Sequence, residues 1–372
     1  MTAQTNQSWA ASRLPCLASL CACLNARTMA PGGSYFAAFP FLIAVLAAFL
    51  SLSGIVLAVF YNPWHAFASV QFINRDVNQG WLIRTYHATG TTLIFALAYL
   101  HLFRSILIRA YRAPAEFSWL MSVKLLLVLL LTGWLGFVLT GGAAGHLSLV
   151  NAANAALSLG GLPGAVGLWF LGGPAGQGTL ARLEVFHALL GISLLLVVWA
   201  YFASRKAAAQ VEPAKAVAFY PYYLAQYFAA LAVLAFIFVL LGFYAPGVSG
   251  VAANHIPAGG LALPLGAGVP WYLAPAAGLL GVFPTAKLAV AAAIVAVVLL
   301  YALPWLDRSG PDGAKGKVYC FFTWVLALDV LGLGLAAAGV LPFSPVLAVL
   351  FTGWFFFHFL VLTPVVTAME AK

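Results

Sequence analysis

His87 and His101 stand 14 residues apart in one apolar stretch, and His187 lies in another. At about 100° and about 1.5 Å per residue, that spacing returns almost to the same helix face and climbs roughly 21 Å. A lone intramembrane histidine is more often a satisfied polar group than a ligand. Two on one face, with a third on another helix, point instead to coordination. The iron of a haem takes axial donors above and below the ring, and imidazoles from two facing helices supply both. The rise suits two cofactors stacked across one membrane. A bis-imidazole iron reorganises little between its oxidation states, so these residues favour electron transfer over oxygen chemistry. No phosphate loop, paired catalytic carboxylates, serine triad or Cys/His metal cluster is visible.

The elements that must hold these side chains follow from composition. Of 372 residues, 64% are hydrophobic and only 7% charged, with a mean hydropathy of +1.02. Soluble domains carry about 25% charged residues, so a water-soluble enzyme is excluded. The apolar runs are long and continuous, unlike the alternating segments of about 10 residues in a membrane β-barrel. Eight of them, near 36–60, 83–110, 118–139, 179–203, 221–245, 284–305, 318–340 and 344–367, predict an all-α integral membrane protein with eight transmembrane helices. Two connections are long. That at 140–178 is rich in Gly and Asn, and that at 246–283 carries Pro257, Pro264, Pro270 and Pro275. Residues 1–34 read as a tail or surface helix, because no convincing small-residue cleavage site precedes the next span.

An even number of spans puts both termini on one side. Thirteen of the 17 basic residues then fall on the terminal side, leaving Arg75, Arg84, Arg182 and Lys287 on the other. That asymmetry predicts cytoplasmic termini, in a bacterial-type inner membrane or an equivalent energy-transducing membrane. The net charge of +9 therefore encodes orientation and, secondarily, attraction to anionic lipid, not a nucleic-acid site. Cys16, Cys21, Cys23 and Cys320 lack the spacing of a disulfide framework or zinc site. They read as packing thiols, with acylation of a clustered one as the alternative.

The stretch from Arg75-Asp76-Val77-Asn78-Gln79-Gly80-Trp81-Leu82-Ile83-Arg84 through His87-Ala88-Thr89-Gly90 to Tyr99-Leu100-His101-Leu102-Phe103-Arg104 resembles the second-helix signature of cytochrome b from respiratory bc complexes. The resemblance continues in order. It includes Leu52-Ser53-Gly54, Ala113-Pro114 to Trp119, Gly172-Gly173-Pro174 to Phe186-His187, Phe219 with Pro221-Tyr222-Tyr223, and Ala302-Leu303-Pro304-Trp305-Leu306-Asp307, and spans roughly residues 36–370. It implies that the first four helices form a bundle around two haems, one near each membrane face. The implied domains are a haem-binding unit over 35–210 and a C-terminal four-helix unit over 211–372.

Carried over residue by residue, His87 and His187 would ligate the outer haem iron. Arg84 would pair with its propionate, and Gly54 and Gly136 would let the flat macrocycle approach. The inner site is incomplete. His101 matches the family's inner ligand, and Arg104 and Trp119 match residues near the inner propionates, but the position 14 residues after His187 is Tyr201. A neutral phenol ligates haem poorly, although tyrosinate can bind ferric iron. The matching inner glycines are Pro40 and Ser122. The resemblance therefore implies one haem b, with the inner haem absent or held through His101 alone.

The quinone sites have drifted as well. The family's Pro-Glu-Trp-Tyr motif is matched by Val269-Pro270-Trp271-Tyr272, its Pro-Trp-Gly by Thr140-Gly141-Gly142, and its inner histidine, lysine and aspartate by Tyr220, Gln226 and Tyr227. A proline cannot accept a quinol proton. His65, His146 and His255 read as loop histidines, His358 as a packing group and Asp329 as a structural intramembrane polar group. The leading expectation is an electron-transferring subunit of a larger membrane oxidoreductase, without a Q cycle and not a stand-alone enzyme. Its partners would be other subunits, quinone or a c-type cytochrome, and a second copy in a homodimer. The alternatives are a redox-inactive membrane anchor that kept the fold, and a complete quinol-oxidising subunit whose motifs have moved.

Overall fold

The computed structural model describes residues 19, 28–29, 35–173, 178–208, 217–259, 268–309 and 316–371. Eight of its helices are long and apolar enough to cross a membrane: Tyr35–Ala58, Gly80–Leu107, Glu116–Leu139, Thr179–Arg205, Phe219–Tyr244, Ala286–Leu306, Lys317–Ala337 and Ser344–Met369. They match the eight predicted runs to within a few residues at most ends. Thr28–Met29 pair antiparallel with Val217–Ala218, the one departure from helix among the described residues besides an isolated bridge. Apart from Ser19 and this pairing, the tail or surface helix expected over 1–34 lies outside the described residues, as do Cys16, Cys21 and Cys23.

The 140–178 connection is not the open loop its glycines suggest. It folds into two helices, Ala143–Leu159 and Gly161–Leu171. The first contains six alanines, the strongest helix formers, so the segment has ample local propensity. Gly160 and Gly172, both at positive φ, mark the break between the pair and its end. Short helices also form at Ala66–Arg75 and Ala274–Gly281.

The first four spans pack as a bundle, first on second and fourth, third on second and fourth. The second and third spans are its buried centre, whereas the fifth is almost wholly exposed. Between the levels of His87 and His101 lies an apolar plug of Leu46, Ile94, Leu97, Leu129, Leu194 and Val198. Burying this plug holds the two histidine levels at fixed height. A second core joins the terminal-side ends of the second and third spans to the last three spans, through Ile106, Val123, Leu303, Leu326 and Phe359.

A buried ionic knot ties the same ends. Arg109 Nη2 lies 3.1 Å from Glu370 and its Nε 3.8 Å from Asp307, while Nη1 donates to Ser309 Oγ at 2.9 Å. Tyr111 donates its hydroxyl to Asp307 at 2.7 Å. Glu370 also accepts the backbone N–H groups of Val318 and Tyr319, neutralising the first turn of the seventh span. Four chain segments thus share one set of charges. Removing one partner leaves an unpaired buried charge, which costs about 3–5 kcal/mol.

Burial works to raise the Asp307 carboxyl, but hydrogen bonds from Ser309 and Tyr111 and the Arg109 charge outweigh it and hold the group below its usual value. A carboxyl depressed in the folded state stabilises above its unfolded pKa of about 3.9, and loses that contribution as pH falls below it. Thermal unfolding in detergent between pH 7 and pH 3 is expected to show an acid decline that Asp307→Asn flattens while lowering the neutral-pH midpoint. An unchanged acid limb in Asp307→Asn would count against the knot as its source.

Candidate haem site

His87 and His187 face one another across the bundle, with ring centroids 6.4 Å apart and planes inclined at 65°. Each imidazole is held through Nδ1. For His87 the partner is Ser53 Oγ at 2.9 Å, and for His187 it is the Thr132 carbonyl at 3.0 Å. The Thr132 carbonyl can only accept, so His187 carries its proton on Nδ1 and has the lone pair on Nε2. Locking one nitrogen orients the ring and leaves the other as donor, the usual arrangement behind a ligating histidine. Ser53 and Thr132 were not legible as partners from sequence, although Ser53 directly precedes Gly54.

The separation fits an iron. With metal–imidazole bonds of about 2.0–2.1 Å and roughly 1.1 Å from each nitrogen to its ring centre, two ligating imidazoles stand about 6.3 Å apart. Gly54 and Gly136 abut these rings. A Cβ on Gly54 would lie 3.3 Å from His87 Cε1, and one on Gly136 would lie 2.9 Å from His187 Cε1. In this structure the glycines clear space for the imidazoles themselves. Arg84 is half-buried one turn before His87 and makes no hydrogen bond or ion pair with any described residue, so it is free to meet an anionic group.

The lower level is built differently. His101 is 3% exposed, and its Nε2 lies 3.1 Å from Ser122 Oγ. Ser122 gives its own proton to the Ser118 carbonyl, so Nε2 of His101 donates the bond and is not a free lone pair. Tyr201 packs edge-on against the imidazole with centroids 5.4 Å apart, an ordinary aromatic contact. An iron between them would need a wider gap than between two imidazoles, because the phenol ring centre sits farther from its oxygen. Pro40, His101 and Tyr201 border a cavity of only about 10 Å³. Trp119 is buried and spends its indole N–H on the Leu300 carbonyl at 2.7 Å. Arg104 is half-buried nearby.

The segment matching the quinol motif docks as packing. Tyr272 stacks on Phe95 at 4.3 Å with planes 12° apart, and its carbonyl accepts the Tyr99 hydroxyl at 2.8 Å. Burial raises the Tyr272 phenol well above its ordinary value. Pro270 is buried. Where the family's Pro-Trp-Gly would lie, Gly141 admits the backbone of Ala66 and Phe67, and Gly142 admits the loop carrying Asn254, whose amide donates to Thr140 Oγ1 at 2.6 Å and accepts the Gly145 N–H at 2.8 Å. Tyr227 stacks on Phe41, and Tyr220 is exposed. His146 is exposed, and Pro174 lies outside the described residues.

Comparison with known proteins decides the family. A profile described as cytochrome b/b6/petB matches residues 25–207, and one described as cytochrome b (C-terminal)/b6/petD matches 257–365. Cytochrome b of Rhodospirillum rubrum is 32% identical over 354 residues, covering 91% of this chain and 86% of that one. The chain belongs to the cytochrome b family. Cytochrome b of Rickettsia prowazekii is 31% identical over 336 residues, covering 86% and 83% of the two chains. A solved chain titled "Hyperthermophilic respiratory Complex III" superposes with a TM-score of 0.85 at 24% identity, over 98% of this chain and 99% of that one, and so shares the fold. As a cytochrome b, the chain is a multi-pass membrane protein of a haem b-binding family.

Gly136→Val is expected to push the His187 imidazole off the Thr132 carbonyl and destabilise by about 1–3 kcal/mol, a typical overpacking cost. Gly54→Ala, with its looser contact, should cost less. Unfolding midpoints in one detergent compare them, and equal shifts would contradict the clearance role.

Proposed function

We propose that this cytochrome b is an electron-transfer subunit carrying one bis-histidine haem b on His87 and His187. The observation that carries the reading is the 6.4 Å imidazole pair with both Nδ1 atoms held. When bound, haem supplies a one-electron couple between ferric and ferrous iron. The chain's own residues do the rest: Ser53 and the Thr132 carbonyl orient the ligands, Arg84 offers its guanidinium to a propionate, and Gly54 and Gly136 keep the ligand rings unhindered.

The unit over 35–210 is the haem-binding domain and that over 211–372 its membrane companion. The positive-side bias supports cytoplasmic termini, which puts this haem near the external leaflet of an energy-transducing membrane. The likeness to a chain of a respiratory complex III supports assembly with other subunits, where catalysis resides. His87 and His187 would hold a haem that could supply electron exchange with a quinone or a c-type cytochrome. A Q cycle needs two haems in series and proton-exchanging groups at both quinone sites. The Ser122 bond to His101, the contact of Tyr201 and the buried Pro270 support its absence.

Pyridine haemochrome assay against protein mass should give one haem b per chain in the purified complex. His187→Ala should abolish the b-type α-band of the reduced-minus-oxidised spectrum, and Ser53→Ala should weaken haem retention on the order of tenfold or more. Two haems per chain would refute the single-site reading, and a bis-histidine spectrum surviving in His187→Ala would refute the ligand assignment. No haem in wild type would leave only the anchor role.

A further inference from the structure

We propose that the pocket below His101, at the terminal face of the bundle, binds a phosphate-type oxyanion through Arg104 and Arg205. The proposal rests on the single-haem reading, since it assigns a different occupant to the space where the family places its second haem.

The pocket has a volume of about 70 Å³. A single water needs roughly 10–15 Å³, so this is space for on the order of five waters, the scale of a tetrahedral oxyanion. Larger organic ligands take pockets of roughly 300–1,000 Å³. The wall carries Arg104, Arg205, His101, Ser118 and Tyr201, and no carboxylate. Arg104 is half-buried and Arg205 exposed at the mouth. Neither guanidinium has a hydrogen-bond or ion-pair partner among the described residues. Two unpaired guanidiniums at one cavity repel each other, and an anion between them relieves that repulsion with charge-assisted bonds.

The hydroxyls sort by what they have left to donate. Ser122 gives its proton to the Ser118 carbonyl and Ser105 to the His101 carbonyl. Ser204 gives its proton to the Tyr201 carbonyl at 2.7 Å, so Ser118 donates its own to Ser204 at 3.0 Å. The Tyr201 hydroxyl is bonded to no described residue. The pocket therefore offers two guanidiniums and the Tyr201 hydroxyl, donors that complement an acceptor-rich oxyanion. His101 Nδ1, fully buried and without a partner, is an acceptor, so a water or the hydroxyl of a protonated phosphate would satisfy it. Tyr201, which fits a haem poorly, fits this chemistry. The oxyanion is either free phosphate or the headgroup of an anionic phospholipid, since the mouth lies at the end of the fourth span.

The test uses the intact complex in nanodiscs. One arm measures binding of radiolabelled inorganic phosphate by equilibrium dialysis in phosphatidylcholine discs. The other measures phosphatidylglycerol retained by the complex from mixed discs. Wild type should bind in one arm, and Arg205→Gln and Arg104→Gln should each lose about tenfold or more, the worth of a charge-assisted bond. Binding in the first arm identifies free phosphate, and binding only in the second identifies a headgroup. Arg205→Gln, at an exposed position, keeps the test valid if Arg104→Gln fails to fold. Binding in neither arm above the variants overturns the proposal. Haem counted on the same samples separates the readings. One haem without anion binding sinks only this inference, anion binding without haem sinks only the electron-transfer role, and a second haem lost in Arg104→Gln sinks both the single-haem reading and this one.

Discussion

An imidazole inside a membrane-spanning bundle has two polar nitrogens and no bulk water, so the partners those nitrogens find decide what it does. His87 and His187 each have one nitrogen bound, by Ser53 and by the Thr132 carbonyl, and the pair faces inward at a spacing that suits a single metal. His101 has the opposite arrangement. Ser122 takes its Nε2, Tyr201 covers its ring, and Nδ1 is left without a partner. The same residue type on one helix face thus meets a second imidazole at one level and lines a polar pocket at the other.

The asymmetry depends on small differences in neighbouring bulk. A Cβ added at Gly54 or Gly136 would lie 3.3 or 2.9 Å from an upper imidazole, so a larger residue fits only if a ring moves. At the lower level the corresponding helices present Pro40 and Ser122, and the fourth helix presents a phenol. Each change closes space or adds a hydroxyl. Together they turn a slot for a flat ring into a compact polar pocket with two guanidiniums at its edge.

The second half of the chain contributes anchorage. Arg109, Asp307, Glu370, Tyr111 and Tyr319 join four segments at the terminal face, and Trp119 donates across to the sixth span. The segment that matches the quinol motif has become packing, with Tyr272 stacked on Phe95 and Pro270 buried. These contacts hold the second and third spans, and with them the height of His87 and His101.

Composition and residue spacing determined the membrane class, the eight helices and the histidines within them, while the resemblance to cytochrome b supplied the pairing of His87 with His187 and the loss of titratable groups where the family's quinone motifs align. These depend on periodicity and on which side chains are present, and both survive in one dimension. The helices within 140–178 were hidden because glycine and asparagine outweighed an alanine-rich run in the reading. The tertiary structure alone decided that Ser53 and the Thr132 carbonyl hold the facing imidazoles, that Ser122 occupies His101, and that Arg104 and Arg205 share one cavity. Those are contacts between residues 21 to 101 positions apart, and only the packing angle of the helices sets which atoms meet.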